Sequence, residues 1–588
     1  MKARQLWVTE GDEVNFEKIE ELIYRNTSVN DFLESDNKKF IVASKGVGKT
    51  LLLRLKRKYL ENRYGASALF IPSNAPYLDF AQDQLSMIGK NQMAFLTDVQ
   101  KTKLFWQYAL ILSILSYENK NKDNIDFTRY FTIPDWVIEL VNSKQYHNPC
   151  DVFTELVTKS NVSKVWDEIN SSFLEINRVF INNINYGVHI FIDRLDQALK
   201  NVPKDSWIAI QTGLLEGAWD ISRKNTHVKV YCSIRQEAYY NYSSEDRNAI
   251  SGSVVFIKYT IDDLVKMLNK SSKYYEQGKD FPALMGQIKF QHPKTGIYEN
   301  LDKYIIRHTM YRPRDFVSIV GKLDRKNKFD TKEFRENVNK VACEEIAKNL
   351  FFENRIFLNC LKDKEDREEF LSLIPHNVLD RNLLLDVCCH FNNRQDCAKN
   401  GCHFTSECKH PFSELYNLGL LGVIDKDDVG KKNYRKQKFK KAEDIQTFSQ
   451  NLLPENVSFY LIHPCLNDYI KALRTRHAND GLAYIIPFIT ISADGDWGGN
   501  EERMFTLFST LEAQHPRELR DEIYNNLKSL SIKKRIVKVE EYIGNYVNQF
   551  AAKKQESLKV NESTPTKKKS NELVDEFDKL KNERKQTK

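Results

Sequence analysis

The most specific chemistry in this chain lies in the stretch Ile41-Val42-Ala43-Ser44-Lys45-Gly46-Val47-Gly48-Lys49-Thr50. The apolar run Phe40 to Val42 reads as a short buried strand. A loop of small residues and glycines follows, and Leu51-Leu52-Leu53-Arg54-Leu55-Lys56 opens a helix. Strand, loop and helix in this order suit a polyphosphate. Glycines let backbone N–H groups crowd around phosphate oxygens, and the helix N-terminus adds the positive end of its dipole. On this reading Ser44, Lys45, Gly46, Val47, Gly48, Lys49, Thr50 and Leu51 cradle the phosphates of ATP. Lys49 reaches the β- and γ-phosphates, and the Thr50 hydroxyl ligates Mg²⁺. The usual pattern opens on Gly, whereas Ala43 stands here.

A magnesium site at such a loop needs an acid from elsewhere. Val188-His189-Ile190-Phe191-Ile192-Asp193 is an apolar strand ending in one, so Asp193 is the candidate for the metal's water shell. Three residues on, Asp196 polarises the attacking water, shares the metal, or merely caps a helix starting at Gln197. A second apolar run, Val228 to Ile234, ends in Arg235. A guanidinium at a strand tip matches phosphate oxygens two-pronged, so Arg235 is either a phosphate sensor or a surface arginine paired with Glu237. Arg312 and Arg314 flank Pro313 at a helix start, where each reaches a phosphate or an acidic neighbour.

A separate chemistry is suggested by the densest cysteine and histidine group, residues 388–410. Four ligands from Cys389, Cys397, Cys402, Cys408 and His410 would hold a structural Zn²⁺, although the spacing is not that of a standard finger. The alternative is a loop of reduced thiols. Asp494-Gly495-Asp496 lacks the later glutamate of a calcium loop and reads as a turn.

These residues need a large scaffold. The 588 residues exceed one compact core and suggest about three or four domains. Net charge is +8, small for this length; it permits contact with nucleic acid without arguing for it. No apolar run approaches the roughly 20 residues of a membrane helix. The N-terminus lacks a signal-peptide core, and ten cysteines, several in apolar surroundings, fit a reducing cytoplasm. Residues 1–260 read as the α/β core, with one amphipathic helix (Phe16, Ile19, Leu22, Ile23) before the first strand. A second strand follows at Ala68–Ile71, and a helical insertion at about 74–185 serves as an interaction surface or a lid. Residues 261–345 read as a helical lid subdomain. Residues 346–475 read as a winged helix-turn-helix, with Val378 to Val387 helical. A helix in it stops at Gly419 and turns into a strand, and the basic loop Lys431 to Lys438 is either a wing touching phosphates or, the favoured reading, a solvated charge run in a protein-packing domain. A helical region (476–550) and a charged, disordered or transiently helical tail (551–588) complete the chain.

The Gly46-to-Thr50 loop, the Asp193-Arg194-Leu195-Asp196 strand end, the Ser233-Ile234-Arg235 strand end and the Arg312-Pro313-Arg314 helix start together resemble the additional-strand P-loop ATPases. This is the group of AAA+, STAND, KAP and origin-recognition-type proteins. The resemblance covers about residues 30–345, and the Asp-x-Leu-Asp form is most similar to KAP and STAND members. It implies a five-stranded parallel sheet, a helical lid, ATP with Mg²⁺, slow hydrolysis and nucleotide-controlled homo-oligomers. In such switches a segment before the first strand often covers the base. It further implies a bacterial conflict-system (anti-phage) role through a protein effector, since no nuclease, protease or pore motif stands in this chain. The rival expectation is a DNA-binding ATPase of origin-recognition design, whose winged domain meets duplex through Lys431, Lys432, Arg435 and Lys436.

Overall fold

Short runs of β-branched and aromatic residues form a parallel sheet in the computed structural model. It describes residues 6–476 except 80–87, 122–124, 144–146, 160, 200–201, 242, 292–297, 324–328, 376, 380, 393–409, 427–434, 442–443, 445–452, 455–456 and 458. The strands are β1 (Phe40–Ala43), β2 (Ala68–Ile71), β3 (Leu78–Asp79), β4 (Gly187–Asp193), β5 (Val228–Arg235) and β6 (Val254–Phe256). Their order is β2-β4-β5-β1-β6, every pairing is parallel, and β3 joins β4 beyond the end of β2. The expected α/β class is therefore present.

A parallel sheet must be covered on both faces, and alternation along each strand supplies two apolar surfaces. Phe40, Val42, Val188, Ile190, Val230 and Ile234 belong to one core, with the helices Val99–Asn121, Pro149–Thr158, Val162–Asn183 and Lys204–Lys224. Ile41, Ala43, Phe191 and Tyr231 belong to the other, with Leu52, Leu53 and Leu55 of helix Lys49–Tyr64 and much of the chain beyond residue 257. The insertion after β3 is helical where described, as its patterning predicts. Its central helix, Val99–Asn121, is mostly buried and packs on helix Lys204–Lys224, which itself lies against β5.

Helix Lys204–Lys224 lies close against Val99–Asn121 because glycines face the contact. A Cβ at Gly213 would stand 2.3 Å from Thr102 Oγ1 and 2.8 Å from the Lys103 amide nitrogen. Thr102 Oγ1 also donates to the Ala209 carbonyl (2.8 Å), which fixes the approach. Gly213→Ala should therefore destabilise the protein. Overpacking against backbone costs about 3 kcal/mol and outweighs a helix-propensity gain of about 1 kcal/mol. A lower urea midpoint checks this, and an unchanged or higher one would refute it.

Two details before and after the sheet differ from the sequence reading. The segment before β1 holds two short helices, Ile19–Leu22 and Thr27–Glu34, where one was expected. The second begins afresh because the Asn26 side chain caps it, accepting from the Val29 amide at 3.1 Å. After β6 come helices Ile261–Tyr275, Phe281–Met285, Leu301–Arg307, Pro313–Lys322 and Thr331–Val341. An unforeseen antiparallel pair, β7 (Lys289–Gln291) and β8 (Tyr298–Asn300), stands among them.

A π-helical stretch, Ala342–Ala347, runs into helix Lys348–Glu353 and leads to a second sheet. Its strands are β9 (Val378–Leu379), β10 (Leu421–Lys426), β11 (Arg435–Lys438) and β12 (Phe459–Ile462), antiparallel in the order β11-β10-β12-β9. The switch from helix to strand falls where expected. Helix Pro411–Asn417 ends before Gly419, whose φ of +77° suits glycine, and β10 follows. Val378 and Leu379 are strand and not helix; the helix begins at Arg381. The expected helical region and charged tail, 477–588, lie outside the described residues. No helix among the described residues is long and apolar enough to cross a membrane.

Candidate functional site

The site forms where β1, β4 and β5 end together. Register pairs Ala43 with Arg235 and Ile192 with Cys232, so the carboxyl ends of three neighbouring strands share one edge. This edge is where open parallel sheets bind ligands. After β1 the chain turns through Gly46 (φ +84°) and Gly48 (φ +104°), a region that disfavours side chains, and helix Lys49–Tyr64 starts directly behind it.

Asp193 arrives at this helix start from 143 residues away. Its Oδ2 accepts from Thr50 Oγ1 at 2.6 Å, and its Oδ1 accepts from Ser233 Oγ at the end of β5. The carboxylate is buried, so both hydroxyls fix its aim. Lys49 Nζ donates to the carbonyls of Ala43 (3.0 Å) and Ser44 (3.1 Å). Burial holds its pKa below the ordinary lysine value, while Asp196 pulls the other way. Its hydrogen bonds go to neutral carbonyls, and the acids near it act on it only through their charge.

Of the remaining predicted residues, Asp196 and Arg314 line the same cleft, and Arg235 and Arg312 are buried beside it. Asp196 lies in the first turn of helix Leu195–Ala198, which Arg194 precedes with φ +58°. It therefore does not cap a helix at Gln197. Its Oδ2 stands 3.7 Å from Arg235 Nη1. Arg235 does pair with Glu237 (Nε to Oε2, 2.9 Å), but both are buried and neither is a surface residue. Although burial opposes it, the Glu237 carboxylate with Asp196 holds the Arg235 guanidinium charged, above its ordinary range. Arg314 donates its backbone N–H to the Gly46 carbonyl (3.2 Å), and Arg312 Nη1 reaches the Lys45 carbonyl (3.3 Å).

Sequence reasoning missed Glu353 and Asn354. The buried Glu353 carboxylate accepts from Arg312 Nη1 (2.9 Å) and from Arg314, and stands 3.9 Å from Lys45 Nζ. Asn354 Oδ1 accepts from Arg235 Nη2 at 3.1 Å. An acid some 300 residues from the loop, at the end of an unremarked helix, carries no sequence signal of this contact. Burial alone would raise the Glu353 carboxyl, but Arg312, Arg314 and Lys45 overcome it and hold it down to about 2 from an ordinary 4.5. Because the folded value is the lower one, this stabilisation is complete above about pH 4.5. It is lost as pH falls through 2, and is worth about 3 kcal/mol. Urea midpoints taken from pH 5 down to 2 should fall, and Glu353→Gln should flatten that slope. A wild-type midpoint independent of pH over this range would refute it.

The cleft spans about 1060 Å³, part of it open to solvent. Val8 to Gly11, Tyr24, Tyr259, Met267, Tyr275 and Phe316 wall it beyond the loop. Segment 8–14 crosses the helix start, where Arg54 donates to the Gly11 carbonyl and Arg194 pairs with Asp12. One end of the cleft is thus cationic with a buried carboxylate, and the other is apolar and aromatic. That is the division a nucleotide's phosphates and base require.

A protein of Escherichia coli (strain K12), described as a transposon gamma-delta 80.3 kDa protein, is similar to this chain. The two are 22% identical over 312 residues, covering 49% of this chain and 42% of the relative. The match thus spans less than half of the relative's own length. No protein-family profile and no solved structure matches the chain.

The zinc candidates fall largely elsewhere. Cys397, Cys402 and Cys408 lie outside the described residues, while Cys389 and His410 are both buried. Among the described residues, no group of three or more His, Cys, Asp or Glu is placed to hold a metal. Of the basic loop, Lys431 and Lys432 lie outside the described residues, and Arg435 and Lys436 are described only as backbone of β11.

Proposed function

We propose that the cleft binds ATP with Mg²⁺ and that the chain is an additional-strand P-loop ATPase acting as a molecular switch. The observation that carries this reading is the Thr50–Asp193 hydrogen bond, which joins the two groups that would share the metal. Sheet order supports it as well. β5 is interposed between the strand that feeds the loop and the strand that ends in the acid, the kind of extra strand for which that group is named.

In this reading the loop amides and Lys49 hold the β- and γ-phosphates, and Thr50 and Asp193 hold Mg²⁺, which neutralises phosphate charge when bound. Asp196 would orient a water for in-line attack on the γ-phosphorus, while Arg235 and Arg314 would offset charge on the transferred phosphoryl group. Residues 261–345 act as the lid, contributing Arg314 over the loop. Residues 346–475 are read as a winged helix-turn-helix with the β10–β11 hairpin as its wing. The lid and this domain respond to the γ-phosphate and drive assembly of copies and contact with a protein effector. The bacterial conflict role rests on the sequence resemblance, and the similarity to a transposon protein puts a relative on a mobile element.

Two measurements on the full chain test this. Phosphate release from ATP should be slow, dependent on Mg²⁺, and reduced more in kcat than in KM by Asp196→Asn. Light scattering after size exclusion should show a larger mass with ATP and Mg²⁺ than without. Absence of turnover in every oligomeric state would make the nucleotide a structural ligand, and an unchanged mass would remove nucleotide-driven assembly.

A further inference from the structure

Three cations gather above the loop, two of them at the phosphate end of the cleft, and one carboxylate lies against all three. Lys45 and Arg314 line the cleft and keep part of their side chains exposed; Arg312 is almost wholly buried and is also held by Asp315 (Nη2 to Oδ1, 2.9 Å). The carboxylate is Glu353, the last residue of helix Lys348–Glu353. Asn354, next in sequence, holds Arg235, whose other face meets Asp196. Two consecutive residues thus contact Lys45 and Arg314 at the cleft and Arg235 beside Asp196.

That step belongs to the joint with the second sheet. The helix continues the π-helical stretch Ala342–Ala347, which packs on helix Pro464–Arg476. A few residues on, Phe357 meets Trp207 edge-on at 5.4 Å. The backbone N–H groups of Asn359, Cys360 and Leu361 all donate to the Glu414 carboxylate (2.7–2.9 Å). Displacing Glu353 therefore pulls on a segment tied at its far end to the helix that feeds β10.

We propose that Glu353 is a built-in competitor of the γ-phosphate. It holds Lys45 and Arg314 in the absence of a triphosphate, yields them to a nucleoside triphosphate but not to a diphosphate, and so makes the second sheet responsive to which nucleotide is bound. This rests on the reading of the cleft as a nucleotide site. The physical basis is charge. A γ-phosphate drawn to Arg314 and Lys45 repels a carboxylate already seated on them, so the two cannot share these cations. A diphosphate is satisfied by the loop amides and Lys49 and leaves Glu353 in place. Arg312, with its second acid Asp315, keeps its position in either state. Binding of the triphosphate then includes the cost of unseating Glu353, a cost the diphosphate does not meet.

The test compares calorimetric affinities of the full chain for ADP and for a non-hydrolysable ATP analogue, both with Mg²⁺. Glu353→Gln should tighten the analogue roughly tenfold and leave ADP within about twofold. Glu353→Asp, which keeps the charge but shortens its reach, should move the same ratio in the same direction and serves if the glutamine variant does not fold. In the wild type, amides of 348–353 should exchange hydrogen faster with the analogue than with ADP. An unchanged analogue-to-ADP ratio, weaker analogue binding in the variant, or equal exchange with both nucleotides would overturn the competitor role. Wild-type protein that binds neither nucleotide would overturn the underlying site reading instead.

Discussion

Lys49→Ala is expected to weaken binding of ATP with Mg²⁺ roughly a hundredfold while moving the unfolding midpoint little. The asymmetry follows from what the ammonium touches. Without nucleotide it makes two hydrogen bonds to the neutral carbonyls of Ala43 and Ser44, and it bears the cost of burial. Removing it loses those bonds but also relieves that cost, so the net change in stability is within about 1 kcal/mol. Opposite a triphosphate the same group becomes a buried charge pair, and truncating one partner of such a pair costs about 3 kcal/mol. Titration of both proteins, with urea unfolding as the control, checks the split. Equal losses in stability and affinity would mean that Lys49 is structural.

Asp193→Asn should lower kcat for ATP hydrolysis by about a hundredfold to a thousandfold, the range seen when one preorganised electrostatic group is removed. The change is nearly isosteric. An amide oxygen can still accept from Thr50 or Ser233, so the strand ends should stay together and the fold should hold. What disappears is the negative charge that balances a divalent cation, so the variant's residual nucleotide binding should lose its dependence on Mg²⁺. Turnover at wild-type rates in the variant would remove Asp193 from the metal site.

What could be read beforehand was set by local sequence. An apolar strand, two glycines and a helix with Lys49-Thr50 at its start are consecutive, so their physics is complete within about twenty residues. Asp193 was legible for a related reason: a carboxylate ending an otherwise apolar strand marks a strand tip, and strand tips of a parallel sheet share one edge. Gly419 marked a helix end by the same local logic. Glu353 and Asn354 were not legible because their role depends on where a later helix docks, and nothing near them distinguishes a buried carboxylate from an exposed one. For Arg235 the partner, Glu237, was visible two residues on, but not that both are buried. The break between the two N-terminal helices was missed because spacing of apolar residues outweighed the capping signal of Asn26. Within the insertion the burial of the central helix was legible, because Phe105 to Leu112 are nearly all apolar and mark a helix stretch enclosed on all sides.

The central claim is that the loop from Ala43 to Thr50 and the acid Asp193 together grip a triphosphate. Isothermal titration of ATP into the full chain with Mg²⁺ present tests it most directly. The account predicts a saturable heat at one nucleotide per chain that is strongly diminished in Lys49→Ala. A flat trace from folded wild-type protein, or an identical curve from the Lys49 variant, would contradict it.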